Sequence, residues 1–204
     1  MVKVKICGIT NLEDALAAFF NGADAIGFVF YKNSPRCIEP LKARKISRIL
    51  PKNILRAGVF VNAPENKVKK IAKLCNLDIL QFHGNESCGY CDKFKRYKVI
   101  KAFKVNGKTD LAAIKKYKTY GYLFDTFSKS QAGGTGKKFN WNLLQNTDKI
   151  NGRVFLSGGL NSRNVKSAIK KLHPEWIDAS SSLEAKPGKK DHKKIQQFIK
   201  AVKK

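Results

Sequence analysis

Val2-Lys3-Val4-Lys5-Ile6-Cys7-Gly8-Ile9-Thr10 stands near the start of the chain, and its alternation decides the fold. Val2, Val4 and Ile6 point one way and Lys3 and Lys5 the other, which is the period of a strand. Gly8 breaks that strand directly after Cys7. Thr10-Asn11 then supply side-chain oxygens able to cap a helix reading Leu12-Glu13-Asp14-Ala15-Leu16-Ala17-Ala18. A thiol therefore sits at a strand's carboxyl end, where parallel α/β folds display reactive groups. The position also has an inert reading, since unpaired cysteine is among the most buried residue types.

The same strand-then-helix unit recurs along the chain. Strands are read over 24–30, 56–61, 77–82, 97–103, 120–125, 153–156 and 176–179. Helices are read over 40–50, 64–75, from about Asn85, over 110–117, from about Trp141, and over 162–172 and 191–202. Eight such units without a composition shift or linker predict α/β architecture, a closed (β/α)8 barrel of TIM type formed as one domain over residues 1–204. An open doubly wound sheet is the alternative, but Cys7-Gly8-Ile9-Thr10 is too short for the glycine-rich nucleotide turn that such sheets carry after the first strand.

Composition narrows the function classes. With 204 residues, 43% of them hydrophobic, the chain can bury one substantial core. It contains no long apolar run and no export signal, so no membrane partner and a cytoplasmic location are expected. The five cysteines, Cys7, Cys37, Cys75, Cys88 and Cys91, are an odd number for a disulfide framework and are read as thiols. The net charge of +26, from 41 Lys+Arg against 15 Asp+Glu, raises nucleic-acid binding as a class. Its distribution speaks against that class: lysines are spread over nearly every helix, as in Lys67-Lys69-Lys70-Lys73 and Lys189-Lys190-Lys193-Lys194. Arginine, the usual base-reading residue, is confined to Arg36, Arg44, Arg48, Arg56, Arg96, Arg153 and Arg163. A solvated lysine surface is expected, with steering of a phosphorylated small molecule as a second role and no nucleic-acid partner.

In a barrel, polar residues at strand ends converge on one mouth: Cys7, Arg36, Gln81, His83, Asp125, Ser157 and Asp178. A cysteine and an aspartate across such a mouth form a plausible base and acid pair. Lys5 beside Cys7 is expected to draw its thiol down toward neutrality. Leu156-Ser157-Gly158-Gly159-Leu160-Asn161 and Ala179-Ser180-Ser181-Ser182-Leu183-Glu184 follow the seventh and eighth strands, where barrels often bind phosphate on closely approaching backbone amides. Gln131-Ala132-Gly133-Gly134-Thr135-Gly136-Lys137, after the sixth strand, reads as a lid over Asp125. Cys88-Gly89-Tyr90-Cys91, with His83 and Cys75 upstream, lacks the second close pair of a structural zinc site, and no metal is expected. His173 and His192 read as solvated or packing residues.

Taken together, Lys5-Ile6-Cys7-Gly8-Ile9-Thr10, Ser34-Pro35-Arg36, Gln81-Phe82-His83-Gly84, Gly133-Gly134-Thr135-Gly136, Phe139-Asn140-Trp141, Leu156-Ser157-Gly158-Gly159-Leu160 and Pro187-Gly188-Lys189-Lys190-Asp191 resemble, in order, the motifs of phosphoribosylanthranilate isomerase, a barrel enzyme of tryptophan biosynthesis. The resemblance spans the chain. It implies Cys7 as general base and Asp125 as general acid of an Amadori rearrangement, and Arg36 as the holder of the anthranilate carboxylate. It also implies phosphate on the Gly158-Gly159 turn and the Ser180-Ser181 loop, and Asp178 beside the aromatic ring. Gln81 and His83 are expected among the substrate-binding residues, Gly133, Gly134, Thr135 and Gly136 in the lid. The implied substrate is N-(5-phosphoribosyl)anthranilate, without cofactor or metal. A monomer is expected, with a dimer as the alternative. The chain departs from the family at Ser182, where glycine is usual, so a side chain stands beside the phosphate cup. It departs also at Asn140 for aspartate and Thr126 for serine. The related isomerase of histidine biosynthesis is the nearest competitor, but it resembles this chain less because it pairs two aspartates where Cys7 stands here.

Overall fold

The computed structural model of the chain describes residues 1–105, 111–125, 144 and 150–203. Its elements are, in order, β1 (Lys3–Cys7), α1 (Leu12–Phe20), β2 (Ala25–Val29), α2 (Pro40–Ile49), β3 (Leu55–Phe60), α3 (Glu65–Leu74), β4 (Ile79–Phe82) and α4 (Cys88–Asp92). There follow β5 (Lys98–Lys104), α5 (Leu111–Lys115), β6 (Gly121–Asp125), β7 (Arg153–Ser157), α6 (Val165–Leu172), β8 (Trp176–Ala179), a 3-10 turn (Ser181–Leu183), β9 (Glu184–Lys186), β10 (Lys189–Lys190) and α7 (His192–Lys203). The lid residues Gly133, Gly134, Thr135 and Gly136, and the helix expected near Trp141, lie outside the described residues. No helix among those described is long and apolar enough to cross a membrane.

β1 to β8 pair in parallel in sequence order, and β8 returns to β1 in the register Lys3↔Trp176 to Ile6↔Ala179, closing the expected barrel. Strand alternation sorts the core into shells. Val4, Ile6, Ile26, Phe28, Leu80, Phe82 and Phe124 belong to the outer layer shared with helix residues such as Ala15, Val68 and Ile195. The alternate residues Ala57, Ile79, Ile100, Leu123, Phe155 and Trp176 fill the barrel itself, where Phe155 and Trp176 stack with centroids 5.0 Å apart. Cys7, Val29 and Val59 form a small separate cluster toward the strands' carboxyl ends. On β1 the valine and isoleucine of the opening alternation thus face the helices, and the lysines face the interior. Lys5 is 0% exposed.

The helix ends are closed as the local sequence dictates. Asn11 caps α1, its Oδ1 accepting the Asp14 amide at 2.8 Å. Arg56, directed outward from β3, donates to the carbonyls of Ile54, Leu50 and Pro51 at 2.8, 2.8 and 3.0 Å, tying down the end of α2. Two features were not legible beforehand. α6 begins at Val165 rather than Ser162, because Asn161 and Asn164 form a turn in which Asn164 Oδ1 accepts the Asn161 amide at 2.8 Å. The segment before α7 forms the β9–β10 hairpin, turning at Gly188 with φ of 79°.

At the amino ends of the strands a carboxylate brace recurs. Asp24, just before β2, accepts the Val4 amide of β1 at 2.8 Å. Asp78, before β4, accepts Arg56 N of β3 at 2.8 Å, and Glu175, before β8, accepts Val154 N of β7 at 2.8 Å. Each acid satisfies a strand amide that the neighbouring strand does not reach. This is why β4 starts at Ile79 and not at Leu77. Loss of a hydrogen bond to a charged acceptor costs about 1.5–3 kcal/mol. Urea unfolding of Asp24→Ala, Asp78→Ala and Glu175→Ala should each show a loss of that order with no effect at the opposite mouth of the barrel. Unchanged midpoints would remove the brace.

Candidate active site

Cys7 ends β1, and Gly8 turns the chain with φ of 77° while its amide and that of Ile9 both donate to Gly27 O at 2.9 Å. A side chain at position 8 would be strained by that φ and would also lie 2.7 Å from Arg36 Cδ and 2.9 Å from Ser180 Oγ. Gly27 is needed for a different reason: a Cβ there would lie 2.7 Å from Cys7 Sγ and 3.3 Å from Lys5 Nζ. Removing that one carbon makes room in the barrel for the thiol and the ammonium side by side.

Lys5 Nζ donates to Asp178 Oδ1 at 2.7 Å, and Ser157 Oγ donates to Asp178 Oδ2 at 3.4 Å. The same ammonium stands beside the Cys7 sulfur, the two atoms flanking the space that a Gly27 side chain would take. Burial alone would lower the Lys5 pKa, but Asp178 and the thiol together raise it, so Lys5 is a permanent interior cation. Cys7 responds in the opposite sense to the expectation from sequence. Burial pushes its thiol up, Asp178 adds to this, and the offsetting pull of Lys5 and Lys190 is too small to reverse it. Proximity of a lysine was legible. The desolvation of the thiol, which outweighs it, was not.

A second cluster surrounds Arg36, whose Nε and Nη2 donate to Glu184 Oε1 and Oε2 at 2.8 and 2.7 Å in a bidentate pair. Lys190 Nζ donates to Glu184 Oε1 at 3.0 Å and to Ser180 O at 3.1 Å, and Ser180 Oγ donates to Cys7 O at 3.0 Å. Lys190, expected on a solvated helical face, is instead buried in β10. Its backbone amide donates to Asp14 Oδ2 at 2.8 Å, and His192 Nε2 lies 2.8 Å from Asp14 Oδ1, so α1 anchors the hairpin. Burial raises the Glu184 carboxyl, but Arg36 and Lys190 outweigh it and hold the carboxyl below its ordinary range.

A third group stands across the barrel on β4 and β6. Gln81 Nε2 lies 3.0 Å from His83 Nδ1, and His83 Nε2 lies 3.3 Å from Asp125 Oδ2. Asp125 pairs in register with Ser157 of β7, next to β8 and its Asp178. After β7, Gly158 and Gly159 adopt φ of 94° and 63°, and a Cβ on Gly159 would meet nothing within 4 Å. Ser181 opens the 3-10 turn after β8. Ser182 Oγ donates to Leu160 O, so the unusual serine ties the loop after β8 to the loop after β7. Cys75 Sγ, by contrast, donates to Pro40 O at 3.3 Å. Among the described residues no group of three or more His, Cys, Asp or Glu is arranged to hold a metal ion.

The family model of N-(5'phosphoribosyl)anthranilate (PRA) isomerase matches residues 4–201. The chain belongs to the phosphoribosylanthranilate isomerase family. It is an isomerase of that type. An N-(5'-phosphoribosyl)anthranilate isomerase of Pelobacter propionicus is 47% identical over 203 residues, covering 100% of this chain and 96% of the relative. The crystal structure of phosphoribosyl anthranilate isomerase from Thermotoga maritima superposes with a TM-score of 0.93 at 46% identity, covering 100% of this chain and 99% of the other. A phosphoribosyl anthranilate isomerase in complex with reduced 1-(o-carboxyphenylamino)-1-deoxyribulose 5-phosphate gives a TM-score of 0.90 at 45% identity, with coverage of 100% and 99%.

In this isomerase fold the structure adds Glu184 and Lys190 to the residues read from sequence. Their signal was present only as buried charge, which a linear pattern does not separate from surface charge. Glu184 is the acid between two cations, and removing one partner of a buried pair costs about 3–5 kcal/mol. Glu184→Gln should lose stability of that order at neutral pH. Because the folded carboxyl lies below its unfolded value, its stabilisation is present above the unfolded pKa and disappears as pH falls through the folded one. The gap between wild type and Glu184→Gln in urea midpoints should therefore close in acid. A gap constant with pH would contradict the pairing.

Proposed function

We propose that the chain converts N-(5-phosphoribosyl)anthranilate to 1-(2-carboxyphenylamino)-1-deoxyribulose 5-phosphate by an Amadori rearrangement in tryptophan biosynthesis, with Cys7 as general base and Asp125 as general acid. The observation that carries this reading is the placement of two groups at the carboxyl ends of one barrel's strands: a buried thiol beside the Lys5 ammonium, and a carboxylate 3.3 Å from His83 Nε2. Family membership supports it, as does the relative bound to a reduced deoxyribulose phosphate.

The chemistry follows from these groups. Asp125 gives its proton to the ribose ring oxygen as the C1′–O bond breaks, and the anilino nitrogen's lone pair forms the C1′=N iminium. The iminium acidifies the C2′ proton, which the Cys7 thiolate removes, and the released pair forms the C1′=C2′ bond of an enolamine. The 2′-hydroxyl then loses its proton and C1′ gains one, leaving the ketone. Lys5, held by Asp178, supplies the positive charge beside sulfur while the thiolate exists. Asp178 therefore serves Lys5 directly, beyond bordering the aromatic ring. Arg36 is fixed by Glu184 through Nε and Nη2, and its Nη1 edge is the one available to the anthranilate carboxylate. Phosphate rests on backbone amides at Gly158 and Gly159, where positive φ and absent side chains allow close approach, and at Ser180 and Ser181, whose side chains are small. Gln81 and His83 stand on the acid's side of the pocket. The net charge of +26 favours encounter with a substrate carrying a phosphate and a carboxylate.

In a fluorescence assay following loss of phosphoribosylanthranilate, Cys7→Ala and Asp125→Asn should each lower kcat by about 10²- to 10⁴-fold with KM little changed. Near-normal kcat in either variant would remove that residue's role. The pH dependence of kcat/KM reports groups of the free enzyme. The base must be deprotonated and the Cys7 thiol is raised, so kcat/KM should still be climbing with pH at and above the ordinary thiol range. Lys5→Met removes a cation that pulls the thiol down and should move this limb further up. A limb below the ordinary thiol range in wild type would contradict the assignment of Cys7 as base.

A further inference from the structure

The Gln81 carboxamide is the one polar group of the site whose burial the foregoing chemistry does not use. Gln81 is 1% exposed. Its Oε1 is buried with no hydrogen-bond partner among the described residues, so the side chain's one polar anchor is the contact of Nε2 with His83 Nδ1 at 3.0 Å. A buried glutamine that serves packing satisfies both ends of its amide. This one is committed to a single ring nitrogen. Gln81 and His83 are two residues apart on β4 and its continuation, so both face the interior, and the His83 amide donates to Phe60 O at 2.8 Å to hold the ring's backbone in line.

A carboxamide nitrogen only donates, so the Nδ1 facing it must accept and carries no proton. The neutral ring then holds its proton on Nε2, the nitrogen 3.3 Å from Asp125 Oδ2. We propose that Gln81 is a positioning residue: it locks His83 in the Nε2–H tautomer, and His83 holds Asp125 Oδ2 as an acceptor so that the proton delivered to the ribose ring oxygen resides on Oδ1. This rests on Asp125 being the acid. An oxygen that faces a protonated ring nitrogen at 3.3 Å cannot also direct a proton at that nitrogen, so the acid proton is aimed away from His83. As it leaves, negative charge grows on the carboxylate and its attraction to Nε2–H increases, an interaction gained in the transition state rather than before it. The reverse tautomer would present Asp125 with a bare nitrogen, and the acid proton would be spent on His83.

The test is nitrogen NMR of protein labelled at histidine, with His83 assigned by its disappearance in His83→Gln. Wild type should show a bare Nδ1 and a protonated Nε2 at His83. Gln81→Leu, which keeps the bulk and loses the donor, should shift the ring toward Nδ1–H and lower kcat about tenfold while KM stays within about twofold. Gln81→Glu puts an acceptor-only group against Nδ1 and should draw a proton onto that nitrogen, a second readout if the leucine variant does not fold. A protonated Nδ1 in wild type overturns the proposal. So does a loss of kcat in Gln81→Leu with the ring signals unmoved. Wild-type turnover of phosphoribosylanthranilate is the separate control: its absence would overturn the proposed reaction, while the tautomer is still read from the same sample.

Discussion

A lysine ammonium held wholly inside a barrel by one carboxylate is the constraint around which this molecule is built. Lys5 cannot reach water, and an unpaired buried charge is far too costly to persist, so Asp178 must stand opposite it on β8. That pairing fixes the partners in turn. β1 and β8 have to be adjacent and in register, which they are only because the barrel closes. Gly27 has to lack a side chain, and Ser157 turns its hydroxyl to the second oxygen of Asp178. The thiol of Cys7 is placed by the same arrangement, one inward position above the ammonium.

Around this centre the protein divides its charges by height in the barrel. At the amino ends, Asp24, Asp78 and Glu175 close the strand ladders and touch nothing of the mouth. The middle is apolar and aromatic, dominated by Phe155 and Trp176. At the carboxyl ends, charge returns as two linked groups, one running from Asp178 through Lys5 to Cys7, the other from Glu184 through Arg36 and Lys190 to Ser180. Ser180 joins them, because its hydroxyl bonds the Cys7 carbonyl and its own carbonyl accepts Lys190. The β9–β10 hairpin is thus part of the barrel's mouth although it belongs to none of the eight strand-helix units.

Cys7 shows how competing electrostatic effects are weighed in such a place. Two cations act on the sulfur, and in water either would favour the thiolate. Inside the barrel, burial and the nearby Asp178 count for more, and the thiol is held protonated in the free protein.

The sequence by itself determined the eightfold strand-helix order, the strand ends that carry Cys7, His83, Asp125 and Ser157, and the glycine turns after β1 and β7. These are properties of short segments: period, capping and the φ that only glycine takes freely are all local, and they survive in a linear reading. The family motifs were equally local. What only the tertiary structure decided is which charges are inside. Lys5, Lys101 and Lys190 read like the chain's many lysines, and Glu184 like any loop acid, yet all are buried in ion pairs: Asp178 and Arg36 reach Lys5 and Glu184 from distant parts of the chain, while Lys101 and Lys190 meet Glu86 and Glu184 nearer in sequence. Alternation tells that the two faces of β1 differ, but not that the lysine face is the interior. In a closed barrel the apolar face is claimed by the helices, and the face left for the inside takes whatever the mouth requires. The same holds for the thiol's ionisation, because desolvation is a property of everything packed around an atom and is written in no single segment.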